Sequence, residues 1–439
     1  MFTTDEVERV LGGSAWLQAM LDVEAGLARA QARAGLVPDE AAAEIARCCR
    51  VELVDAASIA QRAVGSATPV IALTRDLGAL VDESAKPHVH KGATSQDIVD
   101  TAAMLVTRNA LALVERDLRA AAAECARLTE EHRNTPVIGR SLLQQALPTT
   151  FGRRCAGWLH ALDEAADSIA RLRREQLAVQ LGGPTGTLAS LGTSGAQVLG
   201  LLAEELQLAE PVLPWHTDRT RVGTLAGTLG TASGALAKTA LDVKLHAQTE
   251  VGELSEGAAG GSSAMPHKQN PVGSVLITAA TERVPGLVST LLAAMPQEHE
   301  RAAGAWQAEW EPLTELLRLV ATAAARTRDL LAGLRVNTGA MARNLALTGG
   351  LVMAESAAAA LADQLGRTEA QDLVGQLSRR AAERGTTLRD ALLAEPRVRN
   401  ALSEQDIVAA TDPGDYLGSA GAFIDRALRA HHERSRPWT

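Results

Sequence analysis

Gly260-Gly261-Ser262-Ser263-Ala264-Met265-Pro266-His267-Lys268-Gln269-Asn270-Pro271 is the most informative stretch of the chain. Its two leading glycines make a backbone that bends freely and lies open to a ligand. Two hydroxyls follow, then a cation at Lys268 and an amide donor at Asn270. Pro271 stands where a first helical residue is favoured, and a helix starting there adds a partial positive end. Hydroxyl, cation, amide and helix end together suit the dianionic, enolate-like species formed when a proton leaves the carbon α to a carboxylate. The same groups favour the alkoxide of a serine, which is otherwise far too weak an acid at neutral pH. A glycine–serine linker between two helices is the bland alternative.

Outward from this loop the sequence reads as helix. Val222, Leu225, Leu229, Leu236, Leu241 and Leu245 recur near helical spacing over 219–255, before a break at 257–263. Beyond the loop a helix is expected from Pro271 towards Met295. Trp16, Met20 and Leu27 mark an amphipathic helix over 15–34, stopped by Gly35 and Pro38, and a shorter helix covers 39–49. Thr94-Ser95-Gln96-Asp97 has the form of a capping box and predicts a long helix from near Ser95 to the Arg133 region. Leu142 to Leu181 reads as another long helix, with Pro148 kinking it or standing in its first turn. Residues 311–333 and 338–362 are again helical, and no stretch alternates as a strand does. The expected fold class is all-α. A central bundle of long helices (106–345) is flanked by an N-terminal (1–105) and a C-terminal helical domain (346–439).

Composition narrows the function. A net charge of −9 gives no reason to expect nucleic acid or an anionic membrane as a partner, though a local cluster of donors still suits an anionic substrate. The four cysteines lack C-x-x-C spacing and read as reduced thiols, as in a cytoplasmic protein. The N-terminal region turns acidic at Asp5-Glu6 rather than basic and then apolar. The most apolar run, Val275 to Met295, is interrupted by Glu282, Arg283 and Pro285, so no membrane span is expected. His88 and His90 have no third ligand at a recognisable spacing, and no metal site is expected.

The full loop string resembles the signature of the fumarase/aspartase superfamily, Gly-Ser-Ser-x-Met-Pro-x-Lys-x-Asn-Pro, with every fixed position matched from Gly261 to Pro271. The resemblance implies a three-domain helical fold and a homotetramer around a bundle of long helices. It further implies active sites shared between three subunits, no cofactor, and Ser262 as the base. His90 to Asp97 resembles the family's first substrate-binding region, in which Thr94 and Ser95 bind a carboxylate. Gly139-Arg140-Ser141-Leu142-Leu143-Gln144 resembles the second. Taken alone, the first would more often be a helix cap and the second a loop-to-helix junction.

Leu142 stands where fumarases and adenylosuccinate lyases carry the histidine assigned to protonating the leaving group. Water and amines need that proton to leave, whereas a carboxylate, the anion of an acid with a pKa of ~4, does not. The departing or attacking group is therefore expected to be a stable anion already. Further segments resemble the carboxymuconate cycloisomerase branch of the family. Among them are Pro214-Trp215-His216-Thr217, Gln248-Thr249-Glu250-Val251-Gly252-Glu253 and His299-Glu300-Arg301. That branch closes a carboxylate onto a conjugated double bond. The resemblance implies Ser262 and Lys268 as catalytic residues acting on a small polycarboxylate. It implies His90, Thr94, Ser95, Arg140, Ser141, Gln144, His216, Arg219, Gln248, Ser263, Asn270 and Arg301 as substrate-binding residues. Lys91 and Pro184 depart from the branch's usual pattern. Three alternatives stay open: a lyase releasing a stable anion such as nitrite, an adenylosuccinate-type lyase, and a structural homologue without catalysis. Leu142 and Val275, the latter standing where adenylosuccinate lyases usually carry glutamate, both count against the second, and the retained serine and lysine against the third.

Overall fold

The computed structural model describes residues 2–257, 260–261, 265 and 267–434. The elements that matter for the site are helices α1 (Gly13–Arg33), α2 (Ser95–Glu131), α3 (Phe151–Glu175), α4 (Gly195–Leu206), α5 (Thr220–His246), α6 (Val272–Thr281), α7 (Val284–Ala293), α8 (Trp310–Ala332), α9 (Ala354–Leu365) and α10 (Arg367–Arg384). With them go four short strands: β1 (Pro136–Ser141), β2 (Gln144–Thr150), β3 (Leu254–Ser255) and β4 (Arg335–Val336). The chain divides into two compact units: residues 1–119, 164–237 and 276–327, and residues 120–163, 238–275 and 328–439.

In the first unit α1 buries Leu17, Leu21 and Leu27, and α2 buries Ile98, Leu105, Leu111 and Leu118. Each such side chain contributes about 1.5–3 kcal/mol on leaving water. Gly26 sets how closely α1 meets α4, because a Cβ there would lie 2.9 Å from Leu206 Cδ2 and 3.3 Å from Leu202 Cδ1. The second unit packs α9 and α10 around Met353, Leu361, Leu373, Leu377, Leu388 and Ile407.

The helical fold class expected from the sequence holds, with corrections. The segment 142–181 is not one helix. Its first part is an antiparallel hairpin in which Ser141 pairs with Gln144 and Pro136 with Thr150, and the helix starts only at Phe151. The expectation of no strands therefore fails here. Leu142 (φ 52) and Leu143 (φ 64) make the two-residue turn. Such turns need positive φ at both positions and usually carry asparagine or glycine, so the leucines hid it. The helix expected over 219–255 ends at His246. The helix expected from Pro271 to Met295 breaks at Glu282-Arg283, with Pro285 in the opening turn of α7. Together the two halves span Val272–Ala293, whose apolar window of 18 residues has a mean hydropathy of 1.3 and is 28% buried. The helix expected over 338–362 is also two, parted by Gly349 and Gly350 at φ 61 and 81.

Candidate active site

In the first unit, α2 starts at Ser95 as the capping pattern predicts, but only half of the box forms. The Thr94 N–H donates to Asp97 Oδ2 at 2.9 Å. The Asp97 N–H goes to the Thr94 carbonyl rather than to its hydroxyl. The Thr94 hydroxyl meets the Arg301 guanidinium instead, which also lies 5.9 Å from the Trp306 ring centre. Thr94 and Arg301, far apart in sequence, therefore come together, and both remain partly exposed.

Asp97 does more than cap. It accepts from the Gly182 and Gly183 N–H groups at 2.9 Å each, and His216 Nε2 lies 2.7 Å from Oδ1. His216 is 4% exposed, so it ties its loop to α2. One turn further on, Asp100 accepts from Arg219 at 2.8 and 3.1 Å and from Trp306 Nε1 at 3.0 Å. The same guanidinium reaches Glu309, which also accepts from Gln297 at 2.9 Å. Burial opposes the charge on Arg219, but the two carboxylates outweigh it and hold the cation firmly protonated. Burial pushes the Glu309 carboxyl up, against the pull of Arg219. The Arg219 donors, expected to meet a substrate carboxylate, are engaged with Asp100 and Glu309 at 3% exposure. Arg219 instead fastens the 297–309 segment, which carries Arg301.

Arg140 in the second unit has a similar fate. It binds Glu253 in bidentate fashion at 3.0 and 2.7 Å. Glu253 is fully buried and also accepts from Asn344 at 2.8 Å, with His246 Nδ1 at 2.8 Å. Burial alone would raise the Glu253 carboxyl, but the bonds from His246, Arg140 and Asn344 bring it down to about 2. Arg140 therefore anchors the β1–β2 hairpin, whose tip presents Ser141, Leu142, Leu143 and Gln144 to solvent. Leu142 and Leu143 are 96% and 80% exposed.

The base of the serine loop is closed by reciprocal backbone bonds between Gly260 and Asn270, at 3.0 and 2.8 Å. Gly260 is required there, since a Cβ would lie 2.3 Å from Val272 Cγ2. Lys268 is exposed. Asn270 and Gln248 line a polar cleft of about 240 Å³ with Glu256, His267 and Asn337. Ser262 and Ser263, expected as base and substrate contact, lie outside the described residues. The start of α6 also differs from expectation. Glu256 accepts from the Gly273 and Ser274 N–H groups at 2.8 Å each and from the Ser274 hydroxyl at 2.7 Å. The positive helix end expected for the intermediate is taken by a carboxylate of the chain itself.

Asp97, Asp100, Glu253, Glu256 and Glu309 escaped the sequence reading as functional positions. No local pattern marks the last three. Asp97 and Asp100 lie one turn apart on the buried face of α2 with Gln96 and Thr101, a polar cluster that the sequence displays.

A long-helix fold whose sequence runs from a glycine–serine stretch to Lys268 and Asn270 defines a class. The family model described as lyase matches residues 3–286, and that described as adenylosuccinate lyase C-terminus matches residues 350–427. The chain belongs to the fumarase/aspartase superfamily of lyases. Within it, the chain is 49% identical to 3-carboxy-cis,cis-muconate cycloisomerase of Pseudomonas aeruginosa, over 95% of this chain and 92% of that one. It is 44% identical to nitrosuccinate lyase of Streptomyces davaonensis, over 96% and 92%. The crystal structure of 3-carboxy-cis,cis-muconate lactonizing enzyme from Pseudomonas putida superposes with a TM-score of 0.95 at 41% identity, covering 99% of this chain and 98% of that one.

Proposed function

We propose that the chain is a 3-carboxy-cis,cis-muconate cycloisomerase. A carboxylate oxygen of the substrate adds to the conjugated double bond. The electron pair moves into the neighbouring carboxylate to give an aci-carboxylate, and a proton then reaches the α-carbon, leaving 4-carboxymuconolactone. Ser262 delivers that proton and removes it in reverse. Lys268 and Asn270 hold the charge that builds on the activated carboxylate. His90, Thr94, Ser95, Arg301, Ser141, Gln144, Gln248 and Ser263 bind the remaining carboxylates. His216, Arg219 and Arg140 act from behind, holding the segments that carry these groups.

The observation that carries this reading is Leu142. At the hairpin tip, where related lyases carry an acid for the leaving group, this chain offers an exposed aliphatic side chain. Ring closure by a carboxylate needs no such acid. Nitrite release needs none either, and the 44% identity to a nitrosuccinate lyase makes it the second reading. A side-by-side assay separates them. The purified protein is expected to consume carboxymuconate and to liberate no nitrite from nitrosuccinate, and the reverse outcome sinks the cycloisomerase reading.

The active assembly is a tetramer, with sites completed by neighbouring subunits. Supporting this, a groove of about 1010 Å³ runs along the first unit, lined by Gly227, Gly230 and Gly234 of α5 and by Val288 and Leu292 of α7. Leu292 is 46% exposed, and small residues let helices approach closely. The division of the chain near 105 and 345 belongs to the same reading, as does a cytoplasmic location.

A further inference from the structure

Glu24 lies on the core side of α1 and is 1% exposed. One of its oxygens is 2.7 Å from Nδ1 of His90. The other is buried and has no hydrogen-bond partner among the described residues. A buried ion pair is a poor source of stability even when fully bonded, and this carboxylate is only half satisfied. His90 carries a second cost. Its backbone is left-handed, at φ 56, a conformation that residues other than glycine adopt only at a cost. Two unfavourable features meet at one contact, in the loop that leads into Thr94.

The ring of His90 is 23% exposed on its side chain. With Nδ1 on Glu24, only Nε2 remains for a ligand. We propose that Glu24 is a positioning residue that holds His90 through Nδ1 and turns it so that its Nε2–H meets a carboxylate of the substrate. The inference rests on the carboxylate substrate proposed above and adds a residue that acts through another.

The charged groups around the ring agree. Glu24 faces it from α1 and Asp97 from the start of α2. Lys91, next in the loop, sends its ammonium to the Leu36 carbonyl at 2.7 Å. Burial opposes protonation of His90, but the charge and hydrogen bond of Glu24, joined by Asp97, outweigh it and raise the imidazole above its ordinary 6.5. The cation is therefore favoured by this contact and is lost as pH rises through the raised value.

Glu24→Gln tests this, because the amide can keep the ring oriented while removing the charge. The first readout is an NMR titration of labelled histidines in the full chain, with His90→Asn to assign the signal. The His90 midpoint is expected to fall by about one pH unit or more in Glu24→Gln. The second is the pH profile of kcat/KM for carboxymuconate, whose alkaline limb should move down by the same amount. At pH 7 KM should rise about ten- to a hundredfold, with kcat little changed, as for loss of a charged hydrogen bond. In His90→Asn the same KM rise is expected, and adding Glu24→Gln to it should change nothing more. An unmoved His90 midpoint, or additive effects of the two substitutions, overturns the proposal. If Glu24→Gln does not fold, a wild-type His90 that titrates at or below 6.5 overturns it equally. A wild type inert towards carboxymuconate would refute the substrate reading, while the NMR titration still decides the role of Glu24.

Discussion

Glu253 offers the clearest energetic test. It is fully buried and held by Arg140, His246 and Asn344. Its carboxyl stands at about 2 in the fold against an ordinary 4.5. That difference corresponds to about 3 kcal/mol of stability at neutral pH. The sign follows from linkage: a depressed carboxyl stabilises the fold above its ordinary value and loses that contribution as pH falls towards the depressed one. Removing one partner of a buried pair costs a similar amount, about 3–5 kcal/mol, because the other is left uncompensated. In Glu253→Gln, Arg140 becomes that group. For a chain of 439 residues, about 2.1 cal/mol/K per residue makes a loss of 3 kcal/mol a fall in Tm of about 3 °C. Calorimetry or circular dichroism of both proteins from pH 7 to pH 3 reads the effect. The gap should be full at pH 7 and shrink to less than half by pH 3. A gap below about 1 °C at pH 7, or one that stays constant down to pH 3, would mean that the bonds to Glu253 do not stabilise the fold.

Two further outcomes follow from the site. Ser262→Ala is expected to abolish carboxymuconate turnover while leaving circular dichroism and assembly unchanged, and near-normal turnover would remove the serine from the mechanism. Leu142→His should give no gain in lactone formation, since no leaving group awaits a proton. A large rate increase, measured as kcat, would show that an acid at the hairpin tip helps this reaction.

The legible parts of the sequence were those that depend on local residue pattern. The string from Gly261 to Pro271 announces its family by residue identity, and the start of α2 was visible in Thr94 and Asp97. The hairpin was not, because its turn uses two leucines in a conformation that sequence rules reserve for glycine or asparagine. Nor was the break between α6 and α7, where Glu282 and Arg283 interrupt an apolar pattern that looks continuous. Long-range pairing was the least visible. Arg140 and Arg219 read as free cations because Glu253, Asp100 and Glu309 stand far away in sequence. Glu24 could have been found. It falls four residues after Met20 and three before Leu27, on the apolar stripe of α1, where an acid demands a partner.

Ring closure without a partner acid is the reaction proposed for this chain. Its most direct measurement is the product of carboxymuconate turnover in D2O, followed by proton NMR. A lactone bearing a single deuterium on the carbon α to the carboxylate is expected. A protein that leaves carboxymuconate untouched while releasing nitrite and fumarate from nitrosuccinate would contradict it.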